Sequence, residues 1–229
     1  MVNFIKQICK GKGKAKGEGC GNEYNPTTSL NKGLCNKCYA DWLFTTKEGN
    51  KLIEKSTIKA KNEMQKIQKK ETKEKKIELM GVDKYRAGIV QPIINEIARL
   101  IDYSQPCIAT GKITGKMNGG HYYSVGSNRT ICLNLHNIHI QSFHSNHFKS
   151  GDDIKYREGL IATYGEEYYN NKVESLKKIE AIHLSKKDLI EIWKKAVIIR
   201  NELRNNLVVR TPEERIKLRD EINKRLGIY

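Results

Sequence analysis

At 229 residues the chain has room for one or two small domains, and with 38% hydrophobic and 30% charged residues much of it must be solvated. Lys and Arg outnumber Asp and Glu by 42 to 26, a formal charge of +16 that points to a polyanionic partner and favours nucleic acid over membrane. No run is long and apolar enough for a transmembrane helix, and Met1–Lys6 is too short and polar for a signal peptide, so a cytoplasmic setting is expected. There the six cysteines stay reduced, and metal binding is favoured over disulfides.

Residues 1–46 hold four of the six cysteines in a Gly- and Lys-rich stretch without helical periodicity. It has too few apolar side chains to fold unaided, so bound metal is the expected source of its folding free energy. Cys35 and Cys38 suit one side of a tetrahedral zinc, and Cys9 and Cys20 can complete it, although ten intervening residues make a long ligand pair. Four free thiols in a flexible arm is the alternative. Lys10, Lys12, Lys14 and Lys16 surround this candidate zinc-binding module and would set positive charge against phosphates.

Residues 47–81 read as a basic helical linker, with 11 Lys and 6 Glu among helix formers. Ile53, Ala60, Met64 and Ile67 keep an apolar stripe that is lost from Gln68 onward, and a solvated linker without structure is the alternative. Residues 82–170 form the candidate core. An apolar helix is expected around Val82 to Tyr103, with Ile89, Val90, Ile93, Ile94, Ile97 and Ile101 on one broad face and Pro92 kinking or restarting it. From Cys107 the pattern changes to short β segments: Gly119–Ser124 and Arg129–Asn134 flank a loop at Val125–Asn128, and Asn137–Gln141 reads as another strand. A short helix over Phe143–Lys149 follows. Residues 171–229 return to helix, with Ser185 and Asp188 capping one segment and Thr211-Pro212-Glu213-Glu214 opening a last one that ends near Gly227.

Five of the six histidines lie between 121 and 147. His121 is the strongest candidate for chemistry, because the glycines before it let backbone approach a neighbour or a phosphate closely. A neutral imidazole there could take a proton from water. Tyr122 and Tyr123 read as strand packing. Asn137 can bond to the strand carrying His121, and Asn146 offers an amide oxygen suited to Mg²⁺. His147 points about 100° away from Asn146 around a helix, so the two need not share a metal. Lys149 and Ser150 could touch phosphate or simply end a solvated helix.

Cys107-Ile108, Gly111, Gly120-His121-Tyr122, Asn137-Ile138-His139, Asn146, Lys149-Ser150-Gly151 and Tyr156-Arg157 together resemble the lambdoid phage NinG (Rap) recombination nuclease family, over roughly residues 105–170. The resemblance implies an α+β chain: a small ββα-metal, HNH-like core with an N-terminal cysteine zinc module and helical extensions on both sides. It implies a phage-encoded protein in the host cytoplasm that cuts branched DNA such as Holliday junctions. By the same resemblance His121 is the general base, Asn137 steadies the hairpin and the base, and Asn146 ligates Mg²⁺ or Mn²⁺. Asn118 stands where relatives often have an acidic ligand, and His147 is a further candidate for the cation. Lys149 and Arg157 join the N-terminal lysines as candidate DNA contacts. Related cores are often stapled by two cysteine pairs, which would fall here on Cys107, Thr110, Ser142 and Ser145. One thiol and three hydroxyls cannot make a structural zinc site. Packing must then hold the core, or His144 must serve a different metal arrangement.

The expected function is a metal-dependent endonuclease for branched recombination intermediates. The alternatives are a non-catalytic DNA-binding accessory protein and an RNA-binding zinc protein. A homodimer through the apolar C-terminal helices would match the approximate two-fold symmetry of a four-way junction.

Overall fold

The computed structural model describes residues 6–113, 115–126, 129, 131–148, 153–180 and 183–228, with the side chains of 147 and 148 left aside. Residues 1–78 and 79–229 form two compact units.

In the first unit, strand β1 (Gln7–Ile8) pairs antiparallel with β2 (Glu23–Tyr24), and helices α1 (Asn36–Thr45) and α2 (Lys47–Glu78) follow. A small core of Cys9, Ala15, Leu34, Cys35 and Trp42 lies under α1. Thr46 divides the two helices. Its hydroxyl donates to the Trp42 carbonyl at 2.8 Å and accepts from the Gly49 N–H at 3.0 Å. A Cβ at Gly49 would sit 2.3 Å from the Trp42 carbonyl oxygen, so only glycine lets α2 start this close to α1. Beyond that turn α2 is exposed along nearly all of its 32 residues.

The second unit opens with α3 (Val82–Tyr85), a π-helical turn over Arg86–Val90, and α4 (Gln91–Ile101). Pro92 lies in the first turn of α4, directly after the π-helical turn. The backbone stays helical through Val90 and Gln91, so the helix runs on across the proline with a π-wound turn rather than restarting. Ile94, Ile97, Ala98 and Ile101 are buried, and α4 packs against β3, β4 and α8. Strand β3 (Met117–His121) runs antiparallel to β4 (Ile138–Ser142), with Met117 opposite Ser142 and His121 opposite Ile138. The expectation of extended structure over Arg129–Asn134 fails in its described part. Ile131, Cys132 and Leu133 are buried, but their backbone turns rather than pairs, with the Asn134 N–H closing onto the Ile131 carbonyl at 3.0 Å.

Helix α5 (Phe143–Phe148) follows β4 without a break and packs on both strands, so the local order is strand, strand, helix. Helices α6 (Asp153–Tyr164), α7 (Glu166–Tyr168), α8 (Lys186–Asn205) and α9 (Pro212–Leu226) complete the unit. Ser185 with Asp188 and Thr211 with Glu214 each form the expected reciprocal cap, and Gly227 ends α9 at φ 73°. The apolar face of α8 (Leu189, Ile192, Ala196 and Ile199) is buried, and α8 packs on α4 and α9.

Asp102, at the end of α4, ties the unit together. Arg219 of α9 reaches its two oxygens at 2.8 and 2.7 Å, Tyr164 donates at 3.2 Å, and the Ile140 N–H of β4 donates at 3.0 Å. Among the described residues, no helix is long and apolar enough to cross a membrane.

Candidate functional site

His121 ends β3. Its Nε2 lies 3.0 Å from the Cys132 carbonyl, which can only accept, so this nitrogen carries the proton and Nδ1 keeps its lone pair. The Gln91 amide nitrogen also reaches the Cys132 carbonyl, at 2.9 Å, and bonds Asn95 Oδ1 at 2.9 Å. Those two acceptors use both of its protons. Its 2.9 Å approach to His121 Nε2 is therefore a packing contact in this tautomer. Burial pushes the His121 pKa below the ordinary imidazole value, and the Cys132 carbonyl offsets this only in part. The ring is neutral at pH 7, as a general base requires.

The two glycines before His121 serve neighbours within the protein. A Cβ at Gly119 would meet the Asn95 carbonyl oxygen at 2.6 Å, and one at Gly120 would meet the Gln141 side chain at 2.0 Å. Close packing of α4 on one face and of Gln141 on the other thus requires both.

Asn137 bonds across the loop that joins the two strands. Its Nδ2 donates to the Tyr123 carbonyl at 3.1 Å, and its Oδ1 accepts from the Tyr123 N–H at 2.8 Å. A third, longer bond runs from Nδ2 to the Ile131 carbonyl at 3.4 Å. One buried amide thereby holds both ends of the segment that leaves β3 and returns to β4, including the stretch that presents Cys132 to His121.

The candidate cation donors are less concentrated. The β3–β4 register is continuous, so Asn118 alternates onto the face of Gly120 and Gln141, opposite His121. Gln141 Nε2 donates to Ser145 Oγ at 3.3 Å, which puts the start of α5 on that same side. Asn146, the next residue on α5, is half-buried. Amide oxygens are hard donors that suit Mg²⁺ or Mn²⁺, but they are neutral and bind weakly without carboxylates. Nothing is described of the His147 side chain, and Lys149 and Ser150 lie outside the described residues. Arg157 is exposed, and its guanidinium lies over the Tyr169 ring at 5.1 Å.

His136 and His139 are structural, and the sequence did not separate them from His121. His136 Nε2 donates to Asp220 at 3.0 Å, so its Nδ1 accepts from the Tyr168 hydroxyl at 3.1 Å. Tyr168 then accepts from His139 Nε2 at 3.1 Å. Because Asp220 can only accept, the direction of the whole chain is fixed. Burial lowers the pKa of His136 and lowers that of His139 well below the ordinary value. The bond from His136, with further help from Lys172, holds the Asp220 carboxyl down to about 2. Tyr122 and Tyr123 pack as expected, with Tyr122 bonded to the Tyr169 hydroxyl at 3.0 Å.

Cys107 is buried beside Thr110 and Ser142. Burial raises its thiol pKa, but hydrogen bonds with those two hydroxyls and nearby backbone outweigh that and hold it below the ordinary value. Ser145 N in turn reaches Ser142 Oγ at 3.3 Å. Hydrogen bonds therefore link Cys107, Thr110, Ser142 and Ser145 at this corner. His144 is exposed and joins no metal-ligating group among the described residues, so the rescue through His144 is not formed.

The N-terminal cysteines do converge. The sulfurs of Cys9, Cys20, Cys35 and Cys38 all lie within 4.8 Å of one another, the only such donor group among the described residues. Thiolates about 2.3 Å from a tetrahedral zinc would stand roughly 3.8 Å apart, so the quartet needs little adjustment to bind one. Gly19 brings the strands together: a Cβ there would meet the Cys9 carbonyl oxygen at 2.1 Å. The Cys35 N–H points at Cys9 Sγ, 3.1 Å away, and Cys35 is the N-cap of α1, where thiolate charge is favoured. The Tyr24 hydroxyl, then the Cys38 backbone, bring the Cys35 thiol down to about 6. Lys10, Lys12, Lys14 and Lys16 are all exposed around this group.

The family model described as "Bacteriophage Lambda NinG protein" matches residues 8–206. Protein ninG of Escherichia phage lambda is 35% identical over 78 residues, which cover 34% of this chain and 38% of that protein. Protein ninG of Enterobacteria phage H19B is 33% identical over 78 residues, 34% of this chain and 39% of that one. The aligned stretch thus spans well under half the length of these curated relatives. No solved structure matches the chain. The family model covers both the cysteine quartet and the β3–β4–α5 segment, and on that match the chain belongs to the NinG family.

Proposed function

We propose that this protein is a metal-dependent DNA endonuclease of HNH type that acts on branched recombination intermediates. The observation that carries this reading is the His121 imidazole: its Nε2 proton is committed to the Cys132 carbonyl, which leaves Nδ1 as a proton acceptor at the mouth of a hairpin locked by Asn137. His121 Nδ1 takes the proton from the attacking water. Cys132 holds the ring in one tautomer, and Asn137 keeps the ring and its carbonyl partner in register. Asn146 would hold a Mg²⁺ or Mn²⁺ ion, which supplies charge stabilisation at the phosphate. The +16 charge supplies affinity for the backbone, and Lys10, Lys12, Lys14, Lys16 and Arg157 are exposed to give it.

The test is a labelled four-way junction and a matched linear duplex incubated with and without added Mg²⁺ or Mn²⁺, using wild type and His121→Ala. Cation-dependent cleavage of the junction, reduced by about 10²–10⁴ in the alanine variant at similar binding, is expected. Because the His121 pKa is depressed, the acid limb of the wild-type rate should lie below pH 6.5, the ordinary imidazole value. Unchanged cleavage by a folded His121→Ala protein removes His121 from the chemistry.

One observation favours a second reading, that of a DNA-binding accessory protein without cleavage. Asn118 and Asn146 are both neutral amides, and Asn118 lies on the face opposite His121. Junction binding with no cation-dependent cleavage would select it.

A further inference from the structure

We propose that helix α2 is a duplex-DNA binding rail, a surface separate from the hairpin that carries His121. At 100° per residue, nine of the 11 lysines of α2 fall within an arc of about 140°. They are Lys47, Lys51, Lys55, Lys59, Lys66, Lys69, Lys70, Lys73 and Lys76, and every one is exposed. Glu71, Glu74 and Glu78 fall beyond the arc, on the side of Ile53, Ala60, Met64 and Ile67; Glu54 and Glu63 border the arc at its two edges, and Glu48, in the first turn, lies within it.

Part of this arrangement works against the helix itself, although Lys70 does pair with Glu74 four residues on. Lys47, Lys51, Lys55 and Lys59 stand four apart in succession, as do Lys66 with Lys70 and Lys69 with Lys73. Like charges at that spacing each cost about 0.2–0.5 kcal/mol, whereas a helix that is merely solvated gains by placing Glu four residues before Lys. A polyanion laid along the stripe turns that repulsion into attraction. From Lys47 to Lys76 the stripe runs roughly 44 Å, at 1.5 Å per residue. That length corresponds to about 13 base pairs at 3.4 Å each, so the partner it fits is an extended duplex rather than a compact ligand. The overall charge of +16 points to the same partner class. An anionic membrane fits less well, because the opposite face offers only a sparse row of apolar residues broken by Glu71 and Glu78.

The experiment compares two double variants of the zinc-loaded full chain that remove the same charge from different faces. Lys59→Gln with Lys66→Gln strikes the middle of the stripe, and Lys61→Gln with Lys75→Gln lies off it. Gln keeps helix propensity close to that of Lys. Binding to a labelled 30-base-pair duplex is followed across a salt titration without divalent cations, so the result does not depend on whether the protein cleaves DNA. The stripe variant should bind up to roughly 60-fold more weakly at 0.1 M salt, with a salt slope shallower by about 1.8, while the off-stripe variant stays near wild type. Lys59→Arg with Lys66→Arg should restore binding. Equal losses in the two Gln variants would overturn the proposal, because only net charge would then matter. Failure of the Arg variant to bind would overturn it too. So would a stripe variant that loses binding to phosphatidylserine vesicles but keeps its hold on the duplex.

Discussion

Asp102 and Arg219, 117 residues apart in sequence, form a buried ion pair that fastens the last helix to the hairpin. Arg219 also donates to the Leu135 carbonyl at 3.1 Å, and four residues along α9 Asn223 accepts from the Leu135 N–H at 3.0 Å. The family match ends at residue 206, so α9 braces the start of β4 from outside the matched region.

Asp102→Asn should therefore destabilise the second unit by about 3–5 kcal/mol, since it leaves the Arg219 charge buried without its counter-ion. Urea denaturation followed by tyrosine fluorescence measures this. A chain ending at residue 206 should lose the cooperative transition of residues 79–206 altogether. Cooperative unfolding in that shortened chain would show that α9 is dispensable.

Asn137→Ala strands the Tyr123 N–H and carbonyl and weakens the hold on the Ile131 carbonyl. Each buried backbone group left without its partner costs about 1–3 kcal/mol, so a loss of several kcal/mol is expected. Asn137→Asp should recover part of it, because Oδ1 can still accept from Tyr123, although the donor bonds are gone. If alanine and aspartate cost the same, the Tyr123 N–H bond contributes nothing.

Local signals made much of this fold readable from the sequence. The caps at Ser185 and Thr211, the exposed helix over Lys47–Glu78 and the cysteine quartet all arise from chemistry between near neighbours or from one strong ligand type. The strand expected at Arg129–Asn134 failed because apolar burial there is met by a turn-rich loop, and period alone does not distinguish the two. The partners that decide which histidine is free to act were not legible. Cys132 meets His121 through a backbone carbonyl, which leaves no trace in side-chain identity, and Tyr168 and Asp220 reach His136 and His139 over 29 to 84 residues.

Those buried histidines make a pH prediction. His121, His136 and His139 all have folded pKa values below the ordinary imidazole value of 6.5, with burial as the main cause. As pH falls through 6.5 the unfolded chain takes up protons that the folded chain refuses, so stability is complete above that point and declines below it. Between pH 6.5 and 5, before most carboxylates titrate, unfolding free energy should fall by up to about 1.4 kcal/mol per histidine per pH unit. Replacing His139 with Gln should flatten this slope. A flat profile in wild type over that range would mean that the histidines accept protons without opening the core.

Zinc should be found at one per chain, bound by Cys9, Cys20, Cys35 and Cys38, whose sulfurs already lie within 4.8 Å of one another. Cys35→Ser removes a thiolate at the N-cap position of α1, and serine is a poor ligand beside three thiolates. The variant should lose its zinc to a mild competing chelator that leaves wild type loaded. Little besides Trp42 and Leu34 holds this core without metal, so residues 6–46 should become sensitive to protease. The second unit has its own core at Cys107, Tyr156, Leu160 and Val173, along with the Asp102–Arg219 pair, and neither involves the quartet. It should keep its unfolding transition, and any cleavage that depends on His121 should persist. Zinc-free wild-type protein with a protease-resistant N-terminal region would refute the metal's role. Collapse of both units in Cys35→Ser would instead show that the metal supports the whole chain.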